Sequence, residues 1–314
     1  MYASKCSGAR AAEEGLLTGG YRPSISVVIP AYNAARFLRS TLESVLAQSY
    51  RASECVVVDD GSDDSTADIV AEFEGRVTLL SQTNQGVAAA RNRGVLEATS
   101  ELIAFCDADD VWRQDKLKLQ VQALAENPDA SAVFCGLVIV DAELEPLDEP
   151  PTPDFPSLDL ASLIHHRAGE VPSASPSTLL VRRDSLIAVG LYDGTFSDAA
   201  DWDLVVRLRK VGPFVGTTER ATFYRDHEAA MSRQVRLRAA DSRRLFEKFA
   251  QDAEIIGSMG EDFHRARALN AIVSAAGLIK GGVVLGGFAY LARETFRRPL
   301  VVARVLYPWL RRRR

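Results

Sequence analysis

The stretch ISVVIPAYNAARFLRSTLESVL, residues Ile25 to Leu46, decides the fold class. Its first five residues are a short, mostly β-branched run that ends at Pro30, which is typical of a buried strand. From Ala35 onward the apolar residues take the spacing of one helix face. They are Phe37, Leu38, Leu42, Val45 and Leu46. A strand that leads directly into an amphipathic helix is the repeating unit of proteins with parallel sheets.

The same alternation continues along the first third of the chain. Further strands are predicted at 54–58, 77–80 and 102–106, and helices at 66–74 and after Gly86. We therefore expect an α/β fold with a Rossmann-like, mostly parallel sheet, right-handed crossovers and flanking helices. Downstream elements are a helix at 115–126, strands at 132–140 and 177–181, a helix at 201–210 and two short strands within 214–224. The proline-rich, acidic segment 146–159 is expected to be a loop or lid.

Composition limits the partners and the compartment. The 314-residue chain has a formal net charge of −5 and four cysteines that lack metal-ligand spacing. These features do not indicate a nucleic-acid partner, and they favour a reducing compartment over a disulfide framework. Residues 1–23 lack the apolar core of a secretory signal and are expected to form a flexible leader.

The run from Ala271 to Ala292 is apolar except for Ser274 and Lys280. Glycine pairs at 281–282 and 286–287 favour two short amphipathic helices joined near them. Three placements stay open: helices docked on the body, which we prefer, helices lying on a membrane surface, and a membrane span. The arginines that follow would favour anionic lipid.

Three predicted strands end in polar stretches: PAYN at 30–33, DDGS at 59–62 and DADD at 107–110. Ligands of open α/β sheets bind at such carboxyl ends. Neither a GxGxxG motif after the first strand nor a GxxxxGK[ST] loop is present, so a phosphate ligand would need another counter-charge. Carboxylates that recur on successive strands indicate Mg²⁺ or Mn²⁺ holding a diphosphate. Taken singly, each acidic stretch is better explained as a capping turn.

Four stretches then resemble the family 2 glycosyltransferases, inverting enzymes of the A-type fold. They are SVVIPAYNAARFLRSTLESVLAQSY, VVVDDGSDDST, NQGVAAARNRGVLEATSELIAFCDADD and AADWDLVVRL, and the resemblance covers roughly Ser24 to Ser232. It implies a nucleotide-sugar donor. By resemblance, the nucleobase pocket would be lined by Pro30, Ala31 and Tyr32. Asp60 would accept a hydrogen bond from the base, and Asp59 would support Asp60.

The resemblance also implies the metal site. Asp107 and Asp109 match the family's DxD pair, with Asp109 the direct ligand of the metal and Asp107 nearer the ribose. Asp110 would support this pair. Arg91 could neutralise phosphate, and its alternative is an arginine on a helix surface. Gln114 stands where the family usually has proline, from which only a local change is expected.

Later motifs would complete the site. The resemblance makes Asp201 the general base, although Ala200 stands where the family often has an acidic residue. The alternative for Asp201 is a helix N-cap. Arg225 and His227 match a YRxH pattern and would contact the diphosphate, with His227 reaching toward the metal. Residues 173–177 resemble the segment that faces the acceptor.

The expected organisation is a leader at 1–23, a catalytic domain at 24–235 and a helical extension at 236–314. The nucleotide-binding half would span 24–112 and the acceptor half 113–235, with peripheral membrane contact through 266–314 left open. The expected reaction moves a sugar from a nucleotide-sugar, in the first instance a UDP-sugar, to a hydroxyl of a glycan, lipid-linked or cell-surface polysaccharide acceptor. Its place would be the cytoplasm or the inner face of the plasma membrane.

Two alternatives to this function stay open. One is a nucleotidyltransferase of similar fold, which the glycine-free PAYNAARF stretch disfavours. The other is a non-catalytic nucleotide-sugar-binding or assembly protein, which Ala200 keeps open.

Overall fold

A computed structural model describes residues 21–165, 175–228, 230, 233–297 and 301–302. Its strands are β1 Ile25–Ala31, β2 Glu54–Asp59, β3 Thr78–Ser81, β4 Leu102–Phe105, β5 Val111–Trp112, β6 Ala132–Val140, β7 Pro146–Asp148, β8 Leu179–Arg182 and β9 Phe214–Arg225. Within the described chain these nine strands form one sheet in the order β3-β2-β1-β4-β8-β6-β9-β5, with β7 paired to β6.

The helices flank this sheet. They are α1 Leu38–Leu46, α2 Thr66–Ala71, α3 Val87–Glu97, α4 Lys116–Glu126, α5 Leu160–Ile164, α6 Arg183–Ala188, α7 Ala200–Val211, α8 Val235–Phe249, α9 Ala253–Met259, α10 Glu261–Lys280 and α11 Val284–Arg297. Short 3-10 turns occur at Phe155–Ser157 and Pro176–Thr178. The α/β class predicted from the sequence is confirmed.

Strand β1 lies at the centre of the parallel part, between β2 and β4. All seven of its residues are buried, because helices cover both faces of the sheet. Side chains alternate between the two faces, so Val27 joins the cluster that contains α1 and α4, while Val28 joins the cluster that contains α3 and α7. The parallel pairing brings the carboxyl ends of β1, β2 and β4 to one edge.

The second half of the sheet includes antiparallel pairs. Strand β8 runs antiparallel to β4 and β6, whereas β9 runs parallel to β6. The prediction of two short strands within 214–224 is wrong, because Phe214–Arg225 is one strand. Irregular pairing on both sides of Gly136 lets this strand follow β6 without a break.

The segment 146–159 is only partly the predicted loop. It contributes β7 to the sheet, and Phe155 is buried with its ring stacked on Phe134 at 5.3 Å between centroids. An added Cβ on Gly216 would lie 1.9 Å from the Phe155 ring, so a glycine in β9 makes room for this anchor.

Helices α8 to α10 share the core of the sheet domain. Leu245, Phe246 and Phe263 belong to the same buried cluster as Phe105 and Leu204. The break between α10 and α11 falls at residues 281–283, at the first of the predicted glycine pairs. None of the helices in the described ranges combines the length and apolar character needed to cross a bilayer. Most of the leader, residues 173–174 and Arg311–Arg314 lie outside the described residues.

Candidate active site

The DADD stretch turns sharply at the end of β4. The amide of Asp110 donates to the carbonyl of Asp107 at 3.1 Å, and the amide of Asp107 donates to Ser177 Oγ at 2.9 Å. Asp109 is partly exposed, and its Oδ2 lies 2.9 Å from His227 Nε2. Asp109 and His227 are therefore a pair of side chains of the kinds that ligate metal ions, and Asp107 also lines the cleft.

Asp110 and Arg225 hold this turn from behind. Asp110 is fully buried and accepts the backbone N–H of Arg225 at 3.0 Å, and burial raises the pKa of Asp110 well above its usual value. The Arg225 guanidinium donates to the carbonyls of Asp109, at 2.7 Å, and Ala142. It also lies 4.5 Å from the centre of the Phe37 ring. Arg225 does not line the cleft, which differs from the diphosphate contact implied by the resemblance.

The pocket expected for a nucleobase lies at the ends of β1 and β2, where Pro30, Ala31, Tyr32 and Asp60 all line the cleft. Tyr32 is 55% exposed, so its ring is available for stacking. Asp59 lies outside the cleft lining, and its Oδ1 accepts both the N–H and the Oγ–H of Ser62.

Asp60 is fixed by three protein donors. Its carboxylate accepts Gln82 Nε2 at 2.7 Å and the backbone N–H groups of Gln85 and Gly86, both at 2.8 Å. Gly86 has φ of +88°, a conformation that glycine adopts without strain. Sequence reasoning missed these donors, although Gly86 directly before a helix was a signal that could have found one of them.

Arg91 joins the two acidic sides of the cleft. It extends from α3 and is 3% exposed, so the alternative of a helix-surface arginine is wrong. One guanidinium nitrogen lies 2.6 Å from Asp107 Oδ1 and the other 2.9 Å from Asp201 Oδ1. The guanidinium also packs 5.2 Å from the centre of the Tyr192 ring. Arg91 thereby fixes Asp201 relative to the DADD turn.

Asp201 lies in the first turn of α7 and lines the cleft. Burial raises the pKa of Asp201 to about 7, and Arg91 acts in the opposite direction. Asp107 and Asp198 raise this pKa further, because each places a like charge near the carboxylate. A carboxylate with a pKa near neutrality can take up and release a proton at physiological pH.

The loop before α7 is held by a residue from a distant helix. Asp241 of α8 is fully buried, and its Oδ2 accepts the backbone N–H groups of Ser197, Asp198 and Ala199 at 2.7, 2.9 and 3.4 Å. Sequence reasoning missed Asp241, because no motif links it to Asp201. Ala200, where an acidic residue was expected, is fully buried in the core.

An open cleft of about 1850 Å³ connects Tyr32, Asp60, Asp109 and Asp201. It runs from Tyr32 past Asp109 and Asp201 to α10, where Asn270 and Ser274 line its far end. In the described ranges, no group of three or more His, Cys, Asp or Glu side chains is placed to hold a metal by itself. Substrate phosphates and waters often complete a Mg²⁺ shell that begins with one or two carboxylates.

Residues 26–190 match the family model described as Glycosyl transferase family 2. An uncharacterized glycosyltransferase of Nostoc sp. is 34% identical over 212 residues, which cover 65% of this chain and 65% of the relative. A putative teichuronic acid biosynthesis glycosyltransferase of Bacillus subtilis is 37% identical over 134 residues, which cover 41% of this chain and 52% of the relative. The match therefore spans less than two thirds of the length of either relative.

Two solved structures share the fold. S. aureus TarS 1–349 in complex with UDP-GlcNAc superposes with a TM-score of 0.61 at 18% identity, over 79% of this chain and 71% of that chain. The mannosyltransferase PcManGT of Pyrobaculum calidifontis, in complex with GDP-Man and Mn²⁺, gives 0.59 at 22% identity, over 91% and 84%. The A-type glycosyltransferase fold predicted from the sequence is thereby confirmed.

Proposed function

The chain belongs to glycosyl transferase family 2, and from this premise we propose that it is a metal-dependent inverting glycosyltransferase. It takes a sugar from a nucleotide-sugar and joins it to an acceptor hydroxyl. The observation that carries this proposal is the placement of Asp201 and the Asp107–Asp109 turn on one cleft, linked by Arg91. Inverting transfer needs a base on the acceptor side and charge stabilisation on the leaving-group side.

Asp201 is the proposed base. Its carboxylate takes the proton of the acceptor hydroxyl while the hydroxyl oxygen attacks the anomeric carbon. The bond from that carbon to the phosphate oxygen breaks, and its electron pair leaves with the nucleoside diphosphate. Arg91 holds the Asp201 carboxylate in place, and the raised pKa of Asp201 suits it to accept a proton near neutral pH.

The donor set at the DADD turn fits a hard divalent cation. Asp109 and His227 would begin the shell of Mg²⁺ or Mn²⁺, with Asp107 beside them on the cleft, and the phosphates of the nucleotide-sugar and waters would complete it. When bound, the cation would neutralise the charge that develops on the departing diphosphate. The Mn²⁺ present in the PcManGT complex supports this proposal.

The end of the cleft at Tyr32 and Asp60 fits the nucleotide of the sugar donor. Tyr32 offers an exposed ring for the base, and Asp60 is a fixed acceptor beside it. We place UDP-sugars first, which the UDP-GlcNAc complex of TarS supports, and GDP-sugars second. The place of the Bacillus relative in teichuronic acid biosynthesis supports a polysaccharide as the product. We further propose a cell-surface polysaccharide or its lipid-linked precursor as acceptor, with transfer in the cytoplasm or at the inner membrane face.

The decisive experiment measures nucleoside diphosphate release from a panel of UDP- and GDP-sugars, with Mn²⁺, with Mg²⁺ and with EDTA. We expect one donor class to turn over only with metal, and Asp201→Asn to lower the rate by about 10²–10⁴ with donor affinity retained. The matched control is Asp193→Asn, a nearby acid that pairs with Lys248 outside the cleft lining. Tight nucleotide binding without turnover of any donor would favour the non-catalytic binding protein, and pyrophosphate release from a nucleoside triphosphate would favour the nucleotidyltransferase.

A further inference from the structure

Helix α11 turns its most exposed large apolar side chains toward solvent, whereas a helix that docks on the protein body would bury such side chains. Among the residues of α11 whose burial is described, Gly287 alone is buried. A Cβ on Gly287 would lie 2.7 Å from the Ala275 carbonyl and 2.6 Å from Ile279, so α11 meets α10 through a residue without a side chain. Tyr290 and Leu291 are half-buried, whereas Leu285, Phe288 and Phe296 face away from the body.

The outward face of α11 is a continuous apolar stripe. Leu285 is 86% exposed, Phe288 59% and Phe296 92%. These positions recur with the helical period, and the exposed Ala289 and Ala292 lie between them on the same face. Single exposed apolar residues are ordinary on protein surfaces, whereas an aligned stripe of this kind marks an interaction surface.

The charge of the sequence from residue 293 onward indicates the partner. Residues 293–314 contain eight arginines and one glutamate, in a chain whose net charge is −5. The same residues include Tyr307 and Trp309, the side chains that favour the boundary between lipid and water. An apolar helix face that is followed in the sequence by clustered arginines is complementary to a bilayer surface that carries anionic headgroups.

We propose that α11 is an interfacial membrane-docking helix, which inserts the stripe of Leu285, Phe288 and Phe296 into the surface of an anionic bilayer. Helix α10 does not share this role, because Ala271, Ile272, Ala275 and Leu278 are buried against the protein. Residues of α10 line the far end of the active-site cleft and others support α11. The docked surface would therefore lie one helix away from the cleft.

The test is co-sedimentation of the full chain with vesicles of phosphatidylcholine alone and of phosphatidylcholine with about 30 mol% phosphatidylglycerol. We expect binding to the anionic vesicles, weakened when NaCl rises from about 0.1 M to about 0.5 M. The variant Leu285→Ser/Phe288→Ser/Phe296→Ser should bind at least about tenfold more weakly. The matched control Leu96→Ser/Ile187→Ser/Val211→Ser removes three exposed apolar side chains from other helices and should bind like the parent.

Three outcomes would overturn the proposal. They are no binding to anionic vesicles, equal binding by the stripe variant and the parent, and dimerisation without vesicles that the stripe variant abolishes. The last outcome would assign the stripe to a second copy of the chain. Circular dichroism of the variants checks that the fold is retained, and the salt dependence of the parent tests the proposal without any substitution.

Discussion

At the scale of single residues, the charge balance of the cleft depends on Arg91. The side chain is nearly fully buried and neutralises part of two carboxylates, Asp107 and Asp201. Removing one partner of a buried ionic group leaves uncompensated charge, which costs far more than the net worth of the pair. Arg91 should therefore affect both the stability of the protein and the proton affinity of Asp201.

We expect Arg91→Gln to lower the free energy of unfolding by about 3–5 kcal/mol, measured by urea denaturation. The guanidinium lowers the pKa of Asp201. Without it that pKa rises, and the acid limb of the pH–rate profile moves to higher pH. Arg93→Gln is the control, because Arg93 lies on the same helix but bonds the Ser81 carbonyl at the surface. An unchanged profile for Arg91→Gln would remove Arg91 from the environment of the base.

Asp198→Asn should move the same limb in the opposite direction. The negative charge of Asp198 raises the pKa of Asp201, and burial raises the pKa of Asp198 itself to about 6, so Asp198 is largely charged near pH 7. With a neutral amide at position 198, Asp201 stays ionised to lower pH. The acid limb of the kcat/KM profile should therefore move to lower pH. Arg91, Asp107 and Tyr192 face Asp201 and are unchanged by this substitution.

The control for this experiment is Asp68→Asn, which removes an exposed acid of α2. A shift to higher pH for Asp198→Asn, or an equal shift for Asp68→Asn, would contradict the electrostatic coupling between Asp198 and Asp201.

The sequence predicted which acids end the strands, but it did not predict where Arg91 points. Helix α3 is rich in alanine, so its apolar residues do not define one face. The missed signal is Gly94, three residues after Arg91 and on the same side of the helix. A Cβ on Gly94 would lie 2.3 Å from Val28, so α3 approaches the sheet at this face and carries Arg91 into the interior.

At the scale of elements, α7 owes its position to α8. The carboxylate of Asp241 binds the amides that precede α7, and Arg244 pairs with its other oxygen. Charge-assisted hydrogen bonds to backbone N–H groups are roughly twice as strong as neutral ones. We expect Asp241→Asn to lower the free energy of unfolding by about 1–3 kcal/mol. We also expect it to reduce kcat, with a smaller effect on the KM for the nucleotide-sugar. The reason is that the displaced loop leads into Asp201.

Asp262→Asn is the control for Asp241→Asn. Asp262 is an exposed acid in the first turn of α10 that pairs with Arg265, so both the unfolding and the kinetics of its variant should match the parent. If Asp241→Asn raised the donor KM and left kcat unchanged, Asp241 would act on the donor side of the cleft instead.

Element bounds were predictable where local pattern and tertiary packing agree. Strand β6, predicted at 132–140, is found at Ala132–Val140, because it is apolar and buried along nearly its whole length. Strand β9 was not predicted as one strand, since its middle residues Thr217–Glu219 are polar. These three residues have no register partner in β6, and the strand is held in line by its pairs with β6 on either side, at 214–216 and at 220–225. Strand pairing between segments that are far apart in the sequence produces no local hydrophobic pattern from which the strand could be predicted.

At the scale of the whole molecule, the helices after residue 235 divide into two groups. Helices α8 to α10 contribute Leu245, Phe246 and Phe263 to the main core, whereas α11 contributes only Gly287 to buried structure among its described residues. The sequence could not separate these groups, because both contain long apolar stretches and only the fold decides which face is covered. We therefore propose that the catalytic unit extends from residue 24 to α10.

Two truncations test this division. A chain ending at residue 282 should keep a cooperative unfolding transition and donor turnover, because it retains the buried side chains of α8 to α10. A chain ending at residue 235 should fail to fold, since it removes several large core side chains, each worth about 2–5 kcal/mol, and also Asp241. Differential scanning calorimetry and nucleoside diphosphate release measure the two properties. If the chain ending at 235 unfolded cooperatively and turned over donor, the original boundary at 235 would stand and α8 to α10 would be an accessory layer.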